Sequence, residues 1–259
     1  MDLSNYTLVF DEDFTAASLN PDHWVPYYLP QWSSRELSKP RYTIQDGLLS
    51  LRIEADQQPW CPEFNGEVKC SSLQTGLFAG PLGSAIGQHS FFNPQCRVRE
   101  EQISQRKYLP HYGYIEMRAK FAASVSDVVA LWMIGYEDAP ERSAELCVME
   151  IKGWQVQPQA AKIGMGLRQF NDPKIVTDFT EDSYPIDVRE FHVYAVLWMP
   201  GKVVLYIDGA PVREIQQSPD YPMQLMLGIY ELPEQLTDAA SQRYPKEFLV
   251  DYVRGYERN

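Results

Sequence analysis

Cysteine is scarce in this chain. Four in 259 residues, at 61, 70, 96 and 147, are too few for a disulfide scaffold. No Cys-x-x-Cys pair or His/Cys cluster suggests zinc. Cys61 and Cys70 could pair across a loop, but free thiols are the expectation. No apolar run approaches the roughly 18 residues that span a membrane. The amino terminus has no basic segment followed by an apolar one, so no secretory signal is visible; the cytoplasm is the expected location, or the exterior if a longer chain has been trimmed. Positive charge is also short: 23 Lys and Arg against 35 Asp and Glu, a net charge of −12. That disfavours nucleic acid and anionic membranes as partners. Helical periodicity is weak, with a short piece at most around 233–240, and there is no repeat, low-complexity tract or linker.

What the chain has is strands. It is 44% hydrophobic and 13% aromatic, enough for a large core. Alternating or β-branched stretches occupy 6–14, 48–55, 114–121, 128–134, 144–151, 162–170, 191–198, 203–207, 223–229 and 248–256. Turn chemistry separates them at Asp46-Gly47, Pro200-Gly201 and Asp208-Gly209. Many antiparallel strands without intervening helices imply an all-β sandwich or jelly roll, one domain over 1–259. The longest irregular stretches, 26–42 and 59–86, are expected as loops at sheet edges or over a cleft.

Residues 145–150 place a glutamate at each end of an otherwise apolar strand. Such strands seldom carry ionisable groups, because an unpaired buried carboxylate is costly. By alternation Glu145 and Cys147 share one face, and Leu146 and Val148 the other; strict parity would send Glu150 into the core. One extra residue, a β-bulge near Val148 and Met149, returns Glu150 to the side of Glu145. The two carboxyl groups would then flank the small Cys147, a pair able to protonate a leaving group and attack a sugar carbon.

Glu145-Leu146-Cys147-Val148-Met149-Glu150 resembles the bulged Glu-x-Asp-x-x-Glu strand of glycoside hydrolase family 16, matching at both glutamates. Residues 9–14 resemble that family's opening strand and 112–120 its Tyr-Gly-x-x-Glu-x-Arg-x-Lys strand. Residues 130–133 resemble its Ala-Phe-Trp-Leu strand, and 191–198, 206–209 and 250–254 its closing motifs, in order along nearly the whole chain. The resemblance implies a concanavalin A-like jelly roll. It also implies a retaining, endo-acting hydrolase of internal β-linkages: β-1,3- or β-1,3-1,4-glucan first, galactan second. Glu145 would be the nucleophile, forming a covalent glycosyl-enzyme, and Glu150 the general acid and then the general base. Retention requires carboxyl groups ~5–5.5 Å apart. Their mutual repulsion would raise one pKa.

The same resemblance assigns substrate contacts to Trp132, Glu116, Arg118 and Tyr230; Trp154, just beyond the catalytic strand, could floor an outer subsite. From the residues alone, Glu116 and Arg118 lie on the polar face of the 114–121 strand, where an exposed ion pair explains them nearly as well; a core place is the lesser alternative for Trp132, and Trp154 could equally pack under a loop. Gly228 stands where many members carry Asn, and Trp32, Arg35 and Glu36 replace an Asn-rich loop of the laminarin-cleaving members. Cys147 is the main departure, since the family has Asp there, and a thiol is a weak donor without a carboxylate's charge. Four readings stay open: an enzyme adapted to Cys, a weakened enzyme, a lectin-like sugar binder, or a redox-active thiol with only Lys152 near it. Transglycosylation shares the glycosyl-enzyme and cannot be separated by sequence. No cofactor is expected for catalysis. The resemblance brings a structural calcium held by Asp13, the Gly47 carbonyl and Asp251. The partner is a polysaccharide or oligosaccharide, and a monomer is expected.

Overall fold

The computed structural model describes residues 2–259. Its strands are β1 (Tyr6–Glu12), β2 (Arg41–Gln45), β3 (Leu48–Ile53), β4 (Lys69–Gln74), β5 (Gly76–Leu77), β6 (Gln105–Arg106), β7 (Gly113–Phe121) and β8 (Asp127–Gly135). They continue as β9 (Glu145–Gln157), β10 (Ala160–Arg168), β11 (Asp178–Tyr184), β12 (His192–Met199), β13 (Lys202–Ile207), β14 (Ala210–Ile215), β15 (Met223–Glu231) and β16 (Lys246–Arg258). One sheet runs β14-β13-β12-β7-β16-β3-β2 with β1 added against β16; the other runs β11-β10-β9-β8-β15-β4; β5 and β6 form a separate ribbon.

Period-2 side chains hold the two sheets face to face. Ile115, Met117, Ala119 and Phe121 of β7 and Val250 and Val253 of β16 meet Val129, Leu131 and Met133 of β8 and Leu146, Val148 and Met149 of β9 in one buried cluster. This is the concanavalin A-like sandwich that the motifs imply. The hairpin turns form at the expected places: Asp46 and Gly47 (φ 53° and 71°) and Asp208 and Gly209 (φ 49° and 76°) are left-handed in pairs, as twisted two-residue hairpins require. A buried ionic group ties the sheets at one end, where Lys246 of β16 meets Glu231 of β15 and lies 3.3 Å from Asp127 of β8. Burial pushes the Asp127 carboxyl up to about 6.

Three expectations change. The 59–86 stretch is not all loop, because Lys69–Gln74 is the edge strand of the six-stranded sheet. The 26–42 stretch ends in β2, and the 233–240 piece is only a single turn of 3-10 helix, Pro233–Gln235. Strand β8 is buried along both faces, because loops cover much of the six-stranded sheet's concave side.

Candidate active site

The bulge lies where the sequence placed it. Against β8, Met149 pairs with Leu131 and Cys147 with Trp132, so Val148 has no partner of its own. Against β10 the same slip occurs, Glu150 pairing with Gly164 and Cys147 with Gly166. Both Val148 and Met149 therefore enter the core, and Glu145, Cys147 and Glu150 emerge on the concave face. Glu145 is 5% exposed, and the Glu150 side chain is more open at 18%. Both line a cleft of about 450 Å³ with Trp132, Arg168, Tyr230 and His89.

Arg168 organises the pair. It ends β10 directly opposite Glu145, and its guanidinium donates to Glu145 Oε1 while Nη2 lies 3.6 Å from Glu150 Oε2. One guanidinium thus spans both carboxylates. Its planar face lies over the Phe179 ring, 3.7 Å from the centroid. The floor beneath is kept low by glycine: at Gly166 (φ 134°) a Cβ would sit 2.1 Å from the Asp178 carbonyl oxygen. Burial pushes the Glu145 carboxyl up to about 7, against the downward pull of Arg168. Lys152 emerges on the cleft side as the shifted parity requires, 3.6 Å from Glu150 Oε1 and paired with Glu181.

Cys147 lies beneath this pair, fully buried, with Sγ 3.6 Å from the Gly164 carbonyl oxygen. Burial, and then the two glutamates, push its thiol well above the ordinary range, which disfavours thiolate chemistry. All four cysteines are free and buried.

Aromatic side chains build the cleft walls. Trp132 Nε1 donates to the Tyr230 hydroxyl at 3.2 Å. The His89 ring meets Trp132 and Phe170 edge-on at 5.0 and 5.2 Å. Its backbone N–H donates to Glu137 Oε1 at 2.9 Å, while Nδ1 is buried without a partner. Burial, helped by the Arg168 charge, lowers the His89 pKa to about 4, so the imidazole is neutral. Position 228 cannot accept the family's Asn as packed, since a Cβ there would lie 2.9 Å from both Ser72 and the Tyr230 hydroxyl. Of these residues Arg168 was readable in part: counting by twos from Lys162 groups it with Gly164 and Gly166, and the pairing of β10 with β9 puts that face beside Glu145 and Glu150. Tyr28 and Asn65 also line the cleft; His89 and Tyr28 arrive on loops and Asn65 at the end of the short helix Pro62–Asn65, and none of the three left a signal.

The structure separates other residues from the site. Glu116 and Arg118 belong to β7 of the opposite sheet, on its outward face; Glu116 accepts from the Tyr114 and Tyr256 hydroxyls, and Arg118 pairs with Asp251. The expected alternation is present along β7, but its polar face looks away from the cleft. Trp154 is 36% exposed and sits by Gln155, Lys162 and Ser183, outside the cleft, because β9 and β10 slip register again between Ile163 and Ala161. The calcium positions do not form a cage as placed. The Asp251 carboxylate is taken by Arg118, and Asp13 accepts from the Thr15 N–H and hydroxyl at 3.1 and 2.8 Å. A cation there would have to displace a guanidinium. Among the described residues no three acidic, His or Cys side chains group for a metal.

A GlcNAcα1-4Gal-releasing endo-β-galactosidase from Clostridium perfringens is similar in structure, with a TM-score of 0.85 and 29% identity over 98% of this chain and 63% of that one. Glucan endo-1,3-beta-glucosidase A1 of Niallia circulans is 21% identical over 224 residues, 80% of this chain and 29% of its own. A xyloglucan endotransglucosylase/hydrolase sequence (protein 29) of Arabidopsis thaliana is 40% identical over 72 residues, 25% of this chain and 18% of its own. The chain thus spans less than a third of the length of these curated relatives. Residues 99–252, more than half of the 259, match the family described as Glycosyl hydrolases family 16, and the chain belongs to that family.

Proposed function

We propose that the protein is a retaining, endo-acting glycoside hydrolase that cleaves an internal β-linkage of a polysaccharide through a covalent glycosyl-enzyme. The observation that carries this is the Val148 bulge, which turns Glu145 and Glu150 to one face within the span of a single guanidinium. Glu145, buried and held by Arg168, is the nucleophile that attacks the anomeric carbon. Glu150, more open to solvent, protonates the departing oxygen and then takes a proton from the incoming water. Trp132 and Tyr230 offer aromatic faces to the sugar rings. Between glucan and galactan, the likeness to the endo-β-galactosidase favours a β-galactoside, at 29% identity against 21% for the glucanase relative.

A reducing-end assay over β-glucans, agarose, carrageenan and porphyran tests this beside Glu145→Gln. Wild type should release reducing ends and the variant should be slower by on the order of 10³-fold. Equal silence of both with sugar still bound would make the protein a lectin-like binder. Transfer is the second reading, favoured by the endotransglucosylase relative. Added oligosaccharide acceptors would then give elongated products in place of free reducing ends.

A further inference from the structure

The trough beside the glutamates is closed on one side. On β15 and β4 the side chains that point to the concave face are Gln224, Met226, Tyr230, Cys70, Ser72 and Gln74. All except Tyr230 have no solvent exposure. An open groove crossing the sheet would leave these side chains wet. Instead Tyr28, Leu29, Trp32, Trp60 and Cys61, from two loops, bury them in one apolar cluster that also includes Trp132.

The cover is fixed by hydrogen bonds. Trp32 Nε1 donates to the Gln88 carbonyl at 2.8 Å, and Gln88 Nε2 donates to Gln224 Oε1 at 2.6 Å and to the Tyr136 carbonyl at 3.1 Å. Val25 and Gln74 exchange backbone bonds of 2.7 and 3.1 Å. Tyr28 packs edge-on against Trp60 at 4.6 Å and against Tyr230 at 5.3 Å, making an end wall. From β9 to β15 is two strand spacings, roughly 10 Å, which leaves room for about two sugar rings. On the other side of the glutamates, Arg168, Phe179 and Glu181 on β10 and β11 remain partly exposed.

We propose that the Tyr28–Trp60 wall closes one end of the cleft, so that a chain terminus seats against it and the internal linkage that is cut lies a fixed short distance from that terminus, while the rest of the polymer lies over β10 and β11. This rests on the reading of Glu145 and Glu150 as a hydrolytic pair. Three measurements test it. A digest of a polysaccharide the wild type cuts should contain one short oligosaccharide from the first time point; an even ladder of lengths would overturn the proposal. Oligosaccharides with a bulky fluorophore on either the reducing or the non-reducing end should be cut in one case and refused in the other. Acceptance of both would sink the idea. The double variant Tyr28→Ala with Trp60→Ala, confirmed as folded by its circular dichroism, should lengthen the fragment at least twofold; an unchanged fragment would count against the wall. Failure of the hydrolytic reading is distinguishable, because wild type and Glu145→Gln would then be equally inactive. The labelled sugars are in that case scored by fluorescence polarisation, and the same one-ended refusal is expected.

Discussion

Replacing Arg168 by Met keeps an apolar stem of similar length and removes the charge, together with the guanidinium that lies over Phe179. The guanidinium contacts Glu145 directly and lies 3.6 Å from Glu150. Two unit charges about 4 Å apart interact by about 4 kcal/mol at an effective dielectric of roughly 20. Each pKa unit is worth about 1.4 kcal/mol, so full loss would raise the carboxyl by about three units. Water entering the space left by the guanidinium returns part of this, and a rise of about one to two units is expected. Glu145 already stands at about 7, because burial outweighs the attraction. A nucleophile must be ionised, so the ascending limb of kcat/KM should move from near pH 7 to about pH 8–9, the limb belonging to the coupled pair. At about pH 6 the variant should be 10- to 100-fold slower than wild type, and the gap should narrow at about pH 9. The assay is kcat/KM across pH on a substrate the wild type cuts, with Arg168→Lys expected to restore part of the shift. An arginine that only supported the fold would lower activity equally at every pH. An unmoved limb, or one displaced to lower pH, would refute the reasoning.

Glu137 is buried, and burial pushes its carboxyl up to about 8. Between the ordinary carboxylate range and about pH 8 the folded chain therefore holds more protons than the unfolded one, and stability must fall as pH rises through that window. Glu137→Gln keeps the acceptor for the His89 N–H and should raise the melting temperature at about pH 9 while leaving it unchanged at about pH 4; an equal effect at both would contradict the assignment. Cys147→Asp adds a carboxyl between two others and should keep the fold and alter the rate without altering the product pattern; a new substrate profile at unchanged rate would count against it. Deleting Val148 removes the bulge and brings Glu150 to the fourth position after Glu145, still on the cleft face by plain alternation, so fold and activity should both survive. A deletion variant that folds but is inactive would show that a shared strand face is not enough to place the pair.

The strands that alternation recovered are those with one apolar face on the main core, such as β7, where Ile115, Met117, Ala119 and Phe121 are buried and Glu116, Arg118 and Lys120 are not. Those it missed break that pattern for physical reasons. Lys69–Gln74 buries Cys70, Ser72 and Gln74 under loops and Ser71 against β2 and β3, so its polar side chains gave no sign of a strand. Asp178–Tyr184 lies at the sheet edge with both faces partly wet, and its acidic run reads as a turn.

The site divides along the same line. Two glutamates five residues apart on an apolar strand are inconsistent with burial unless the strand bulges, and the cost of burying a charge is high enough that the inference needed no partner strand. Period-2 counting from Lys162 also groups Arg168 with Gly164 and Gly166, but that this face meets Glu145 and Glu150 comes only from the pairing of β10 with β9. The same reasoning misplaced Glu116 and Arg118, because alternation tells which residues share a face and not which of two sheets that face belongs to. In a sandwich every strand turns one side to the core, and its other side meets either the cleft or the solvent behind the opposite sheet. Only the tertiary pairing separates these outcomes, here β7 between β12 and β16. Loops carry no period at all, so the Tyr28 and Trp60 wall and the unpartnered His89 nitrogen had to come from coordinates. The paired carboxyl groups are therefore written into one strand where local rules apply, whereas the walls that bound their cleft depend on segments whose positions are set by long-range packing.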